Sequence, residues 1–139
     1  MIALDTNVLV RLIVRDDDAQ AAAAERLLIA ARRQHTPLFV GDVVLCELEW
    51  VLRARYKLSR ADIADAIDSL VSTESIVVSD SRAVEASLVS FRSGRGSLAD
   101  YLVREQALSR GSSEVVTFDR VLKGEKGFKV IGRWVVTLA

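Results

Sequence analysis

Short apolar runs alternate along the chain with longer stretches whose apolar residues recur at helical spacing. The short runs are Ile2-Ala3-Leu4, Leu38-Phe39-Val40, Ile76-Val77-Val78 and Val115-Val116-Thr117-Phe118, each stopped by polar residues or glycine. An unbroken apolar run of this length reads as a strand covered on both faces, as in a parallel sheet. Between the runs the pattern predicts helices over residues 8–14, 19–33, 43–55, 59–72 and 98–109, and one capped by Ser79 and Asp80 that runs to Phe91. Asp18, Asp42 and Ser59 read as N-caps, and Arg32 and Arg33 suit the negative end of their helix. Arg110 and Gly111 are C-terminal signals. Residues 127–138 hold one or two weaker strands. Strands alternating with helices predict one α/β domain over residues 1–139, a parallel β-sheet flanked by helices.

Four acids interrupt this pattern. Asp5 follows the first strand in Asp5-Thr6-Asn7, at the edge of a parallel sheet where ligands bind. Capping of the following helix is the structural alternative for all three residues of that triplet. On the third helix, at about 100° per residue, Val44, Leu45, Leu48, Val51 and Leu52 fall on one side of Glu47, with Val43 and Trp50 on the other. Glu47 is therefore expected on the inward, apolar face. Glu49 is expected on the opposite, exposed face, in an ordinary ion pair with Arg53. A buried, unpaired carboxylate is costly, so Glu47 calls for a functional reason. Asp100 lies in the first turn of its helix, where Ser97 and Asp100 fit a capping box and Arg104 is a possible ion-pair partner. Asp119 ends the fourth strand and fits as the cap of a short helix from Arg120 to Lys123.

Composition narrows the chemistry. Half of the 139 residues are hydrophobic, which suits one globular domain. The chain opens on a strand with no charged leader and no long apolar segment, so neither a signal peptide nor a membrane span is expected. A single cysteine, Cys46, allows no disulfide framework and suits the cytoplasm. The one histidine, His35, sits in a polar turn before Pro37, which argues against a His/Cys zinc site and a two-histidine nuclease. The 19 basic and 19 acidic residues balance. With four acids set aside in one metal-neutralised pocket, 19 basic residues face 15 acidic ones, a surplus able to hold a phosphate backbone. Grouped carboxylates repel unless a cation lies among them, and oxygen-only donors suit Mg²⁺ or Mn²⁺. Such ions activate water and stabilise both oxygens of a phosphoryl displacement.

Leu4-Asp5-Thr6-Asn7, the helix Glu47, Ser97-Leu98-Ala99-Asp100-Tyr101-Leu102 and Thr117-Phe118-Asp119-Arg120 together resemble a PIN domain. Size and element order resemble most closely the VapC-type toxins of toxin–antitoxin pairs, over residues 1 to about 122. The resemblance implies a Mg²⁺- or Mn²⁺-dependent ribonuclease. Asp5, Glu47, Asp100 and Asp119 match the family's acidic quartet, and Thr6, Asn7 and Thr117 its supporting polar positions. Asp5 and Asp100 would be the principal metal ligands, with Glu47 and Asp119 holding metal-bound waters or a second ion. Ser97 stands where many members carry a further acid, which weakens the expectation of a second metal. The resemblance also implies a cognate antitoxin and an RNA substrate; a homodimer and no membrane partner are expected. An acidic pocket without metal is electrostatically unstable, so the antitoxin is expected to insert an arginine or lysine among the four acids. Arg92 and Arg95, in a basic glycine-containing loop, are candidates for the RNA backbone. The segment from Trp134 to Ala139 matches no motif. Two alternatives use the same acids: a non-catalytic interaction module of this fold, and a receiver-like phospho-acceptor with Lys123 or Lys126 as its lysine. Glu47 has no role in the second.

Overall fold

Every predicted apolar run becomes a strand, and the polar residue ahead of most helices becomes a cap. The computed structural model describes residues 1–132, which form two compact units, Met1–Ser81 and from Arg82 onward.

In the first unit the order is β1 (Ile2–Ala3), α1 (Thr6–Ile13), α2 (Asp18–Arg33), β2 (Leu38–Val40), α3 (Asp42–Ala54), α4 (Arg60–Val71) and β3 (Ile76–Val78). The three strands form a parallel sheet in the order β1-β2-β3, with Ile2 opposite Leu38 and Leu38 opposite Ile76. Leu9, Leu38, Val40, Leu45, Leu48, Leu52, Ile63 and Ile67 have no exposed surface and make its core. One expectation fails here: β1 is not covered on both faces. Ile2 and Ala3 are exposed, Ile2 by 46%. An apolar run does not distinguish a central strand from a two-residue strand that, among the described residues, pairs on one side.

Three helix starts also move. Helix α1 begins at Thr6 rather than Val8, because Asp5 caps it. Asp17, not Asp18, caps α2, accepting from the Gln20 amide at 3.0 Å. Gly41 holds the cap position of α3 without a side-chain bond, and Asp42 is the first helical residue. Ser59 caps α4 as expected.

The second unit contains α5 (Ser81–Ser93), α6 (Leu98–Ser109), β4 (Val115–Thr117), a 3-10 turn (Arg120–Leu122) and β5 (Phe128–Val130). Strands β4 and β5 pair in parallel, Val115 opposite Phe128 and Thr117 opposite Val130. Helix α6 closes with Gly111 at φ +90°, where the Ser112 amide donates to the Ala107 carbonyl at 2.9 Å. The expected weak strand appears as β5; the rest of that expectation, with Trp134 to Ala139, lies outside the described residues. Among the described residues no helix is long and apolar enough to cross a membrane.

Candidate metal-binding acids

Asp5 ends β1 in an extended backbone, and its Oδ1 accepts from the Thr6 amide at 2.8 Å. That single bond makes Asp5 the cap of α1 and leaves Oδ2 without a protein partner among the described residues. Asp5 is exposed, Thr6 is buried, and Asn7 is exposed on α1. Asn7 lines a cavity of about 370 Å³ with Val8, Arg11 and Gln20, and its side chain makes no hydrogen bond among the described residues.

The reading of α3 needs correction. Glu49, expected on the exposed face, is 1% exposed, and its Oε2 accepts from Arg53 Nε at 2.8 Å. Glu47, expected on the inward face, is exposed. The apolar positions of this helix outnumber those its core needs. Leu45, Leu48 and Leu52 are buried with Glu49, while Val43 and Trp50 are 80% and 51% exposed. Val43, Glu47 and Trp50 follow one another at helical spacing, so Glu47 projects from an open apolar stripe. Its carboxylate has no hydrogen bond or ion pair among the described residues.

In the second unit the structural alternatives for both acids hold. Ser97 and Asp100 form a reciprocal capping box: the Ser97 amide donates to Asp100 Oδ2 at 2.9 Å and the Asp100 amide to Ser97 Oγ at 3.1 Å. The suggested Asp100–Arg104 pair is not made. Arg104 instead donates to Glu105 Oε2, the Lys126 carbonyl and Ser90 Oγ. Asp119 caps the 3-10 turn, its Oδ1 accepting from the Val121 amide at 3.0 Å. Thr117 Oγ1 accepts from the Asp119 amide at 3.0 Å, so Thr117 fixes the backbone that carries this acid. Asp100 and Asp119 thus each use one carboxylate oxygen for capping and keep the other unengaged among the described residues.

Arg95, expected to be free for RNA, uses its guanidinium on the Val121 and Lys123 carbonyls, at 3.1 and 2.7 Å. Its loop is tied down rather than loose. Arg92 is exposed at the end of α5. No pattern in the chain marks Glu125, which accepts from Tyr101 Oη at 2.6 Å and from the Arg95 amide at 3.2 Å. The available signal was Tyr101 itself, since a tyrosine in an apolar helical stripe brings a hydroxyl that needs a partner.

The four acids therefore divide in two pairs, Asp5 and Glu47 on the first unit, Asp100 and Asp119 on the second. Within neither unit are three or more His, Cys, Asp or Glu side chains gathered to hold a metal, among the described residues. What the acids share is chemistry: all are oxygen donors, and each retains unengaged oxygen.

A family model described as PIN domain matches residues 2–124. The chain belongs to the PIN-domain family. The chain is also 27% identical over 128 residues to a VapC ribonuclease of Aquifex aeolicus (strain VF5), covering 92% of this chain and 93% of that relative. All four acids of this PIN-domain chain, with Thr6, Asn7 and Thr117, lie inside the matched residues.

Proposed function

We propose that this PIN-domain chain is the ribonuclease toxin of a toxin–antitoxin pair, a single domain over residues 1–139 that hydrolyses RNA phosphodiesters with Mg²⁺ or Mn²⁺. The observation that carries the reading is the PIN-domain match over residues 2–124, within which Asp5, Glu47, Asp100 and Asp119 each keep carboxylate oxygen unengaged among the described residues. Glu47 is exposed, so burial no longer calls for a functional reason and its place in the site rests on that resemblance. The relative's description as a VapC ribonuclease supports RNA as substrate.

The donor set fits a hard divalent cation, being carboxylate oxygen throughout. Asp5 and Asp100 would hold the metal, and Glu47 and Asp119 would hold its waters or a second ion. When bound, the metal supplies charge neutralisation at the phosphate and an activated water. The chain's own residues supply orientation. The amides of Thr6, Ser97 and Val121 each fix one oxygen of an aspartate and leave the other available to a ligand. Thr117 fixes the backbone of Asp119. A single cysteine, the half-buried Cys46, suits work in a reducing cytoplasm.

Purified protein should cut RNA with Mn²⁺ or Mg²⁺ and stop in excess chelator. Asp5→Asn should be folded and inactive, because asparagine caps a helix as well as aspartate does. Full activity in chelator would remove the mechanism. The cognate antitoxin should inhibit through an arginine inserted among the acids, since its fork engages two carboxylates at once. Inhibition that excess Mn²⁺ never weakens, by a partner whose basic residue is dispensable, would leave steric cover instead.

A further inference from the structure

In the second unit, Asp100 lies in the first turn of α6 and Asp119 caps the 3-10 turn, and a compact set of bonds joins these two places. Glu125 uses both carboxylate oxygens. Oε1 accepts from the hydroxyl of Tyr101, the neighbour of Asp100, and Oε2 accepts from the Arg95 amide in the loop entering α6. The Tyr101 hydroxyl accepts in turn from the Gly96 amide at 3.0 Å. Arg95 then reaches forward, donating to the carbonyls of Val121 and Lys123 in and just after the turn that Asp119 caps.

Burial makes this arrangement rigid. Tyr101 has no exposed surface and Leu122, within the turn, only 1%. The two glycines of the loop are needed for the close approach. A Cβ at Gly94 would strike the Tyr101 hydroxyl and lie 2.6 Å from Glu125 Oε1. At Gly96 it would lie 2.7 Å from Leu122 Cδ2 and 3.1 Å from Asp100 Oδ2. Gly96 is thus where the Asp100 carboxylate, the Tyr101 ring and the turn behind Asp119 converge.

We infer that Glu125, acting through Tyr101 and Arg95, is a positioning residue that sets Asp100 and Asp119 relative to one another. Glu125 itself need touch neither metal nor RNA. The proximity of Tyr101 and Arg95 also keeps its carboxyl below the usual value despite partial burial, so both acceptors remain available. The inference rests on the ribonuclease reading for its consequence in catalysis, but the coupling of the two segments is a property of the fold.

The experiment compares Glu125→Gln, Tyr101→Phe and their double variant with Ser90→Ala, which removes a side-chain bond to Arg104 in the same unit and none of the bonds made by Glu125, Arg95 or the Tyr101 hydroxyl. Three quantities are read: amide hydrogen exchange of residues 97–100 and 119–123, Mn²⁺ affinity by calorimetry, and kcat and KM on RNA. Glu125→Gln and Tyr101→Phe should each speed exchange in both segments, weaken Mn²⁺ binding about tenfold and lower kcat with KM near wild type. The double variant should lose less than the two single losses added together, because the Tyr101–Glu125 bond is common to both while the Gly96 and Arg95 amide bonds are each lost only once. Ser90→Ala, at equal or greater loss of melting temperature, should leave all three quantities unchanged. Unchanged exchange in both segments overturns the inference. So do unchanged Mn²⁺ affinity and kcat in variants of a protein that binds metal and cleaves. Wild-type protein that neither binds Mn²⁺ nor cuts RNA would instead sink the ribonuclease reading, and exchange alone then decides the clamp.

Discussion

Two glutamates two positions apart on α3 have opposite surroundings, and their roles separate cleanly in mutants. Glu49 is buried against Arg53, so truncating it removes a charge-assisted bond from the core. Glu49→Ala should destabilise by about 2 kcal/mol, read by urea unfolding, with cleavage retained in the folded fraction. Glu47→Gln should change stability by less than about 0.5 kcal/mol and abolish or greatly reduce cleavage. Equal losses of stability in the two variants would contradict the burial described above; equal activity would remove Glu47 from the site. The helical wheel misplaced both residues because α3 has more apolar side chains than it buries. With Val43 and Trp50 turned outward, apolarity no longer marks the inward face. The aspartates were easier to place, since each follows or opens an element whose ends are visible in the sequence.

At the level of elements, helix ends were legible wherever chemistry punctuates them. Helix α6 was read to the residue because Ser97, Asp100 and Gly111 mark its ends with bonds that those side chains or that φ alone provide. The start of α1 was missed by two residues because the capping and catalytic readings of Asp5 competed for the same position. Ties across elements left no local trace. Tyr56, after α3, donates to Asp16 Oδ2 at 2.7 Å across 40 residues, while Arg11 of α1 donates to Oδ1 at 2.9 Å. The Tyr56 hydroxyl, and then the charge of Arg11, hold the Asp16 carboxyl below its ordinary value. A carboxyl depressed in the folded state stabilises fully above its unfolded value, and that contribution disappears as pH falls through the folded one. Tyr56→Phe should therefore raise the Asp16 titration midpoint seen by NMR and start acid unfolding at a higher pH. An unmoved midpoint would show that the hydroxyl is not what holds it down.

For the molecule as a whole, the order of the four acids was legible and their division, two to each unit, was not, because linear spacing carries no information about compact units. Net charge is zero, and the proposed RNA binding would draw on the basic surplus left when the quartet is neutralised. A net surplus of four points to about four phosphate contacts. Binding of single-stranded RNA by the Asp5→Asn variant should then weaken with salt at a log–log slope of about −3 or shallower. A much steeper slope would mean that far more of the surface engages RNA than its charge balance suggests. The capping bonds carry a further consequence, for lineages rather than for the single molecule. Asp5 and Asp119 cap helical segments and Asp100 completes the capping box of α6, so selection for folding alone would retain them, or admit asparagine and serine at the two caps and glutamate or glutamine at position 100. Glu47 has no such second employment. On the proposed function, a descendant released from RNA cleavage would let Glu47 drift first of the four, and its loss beside three retained aspartates would mark a silenced copy.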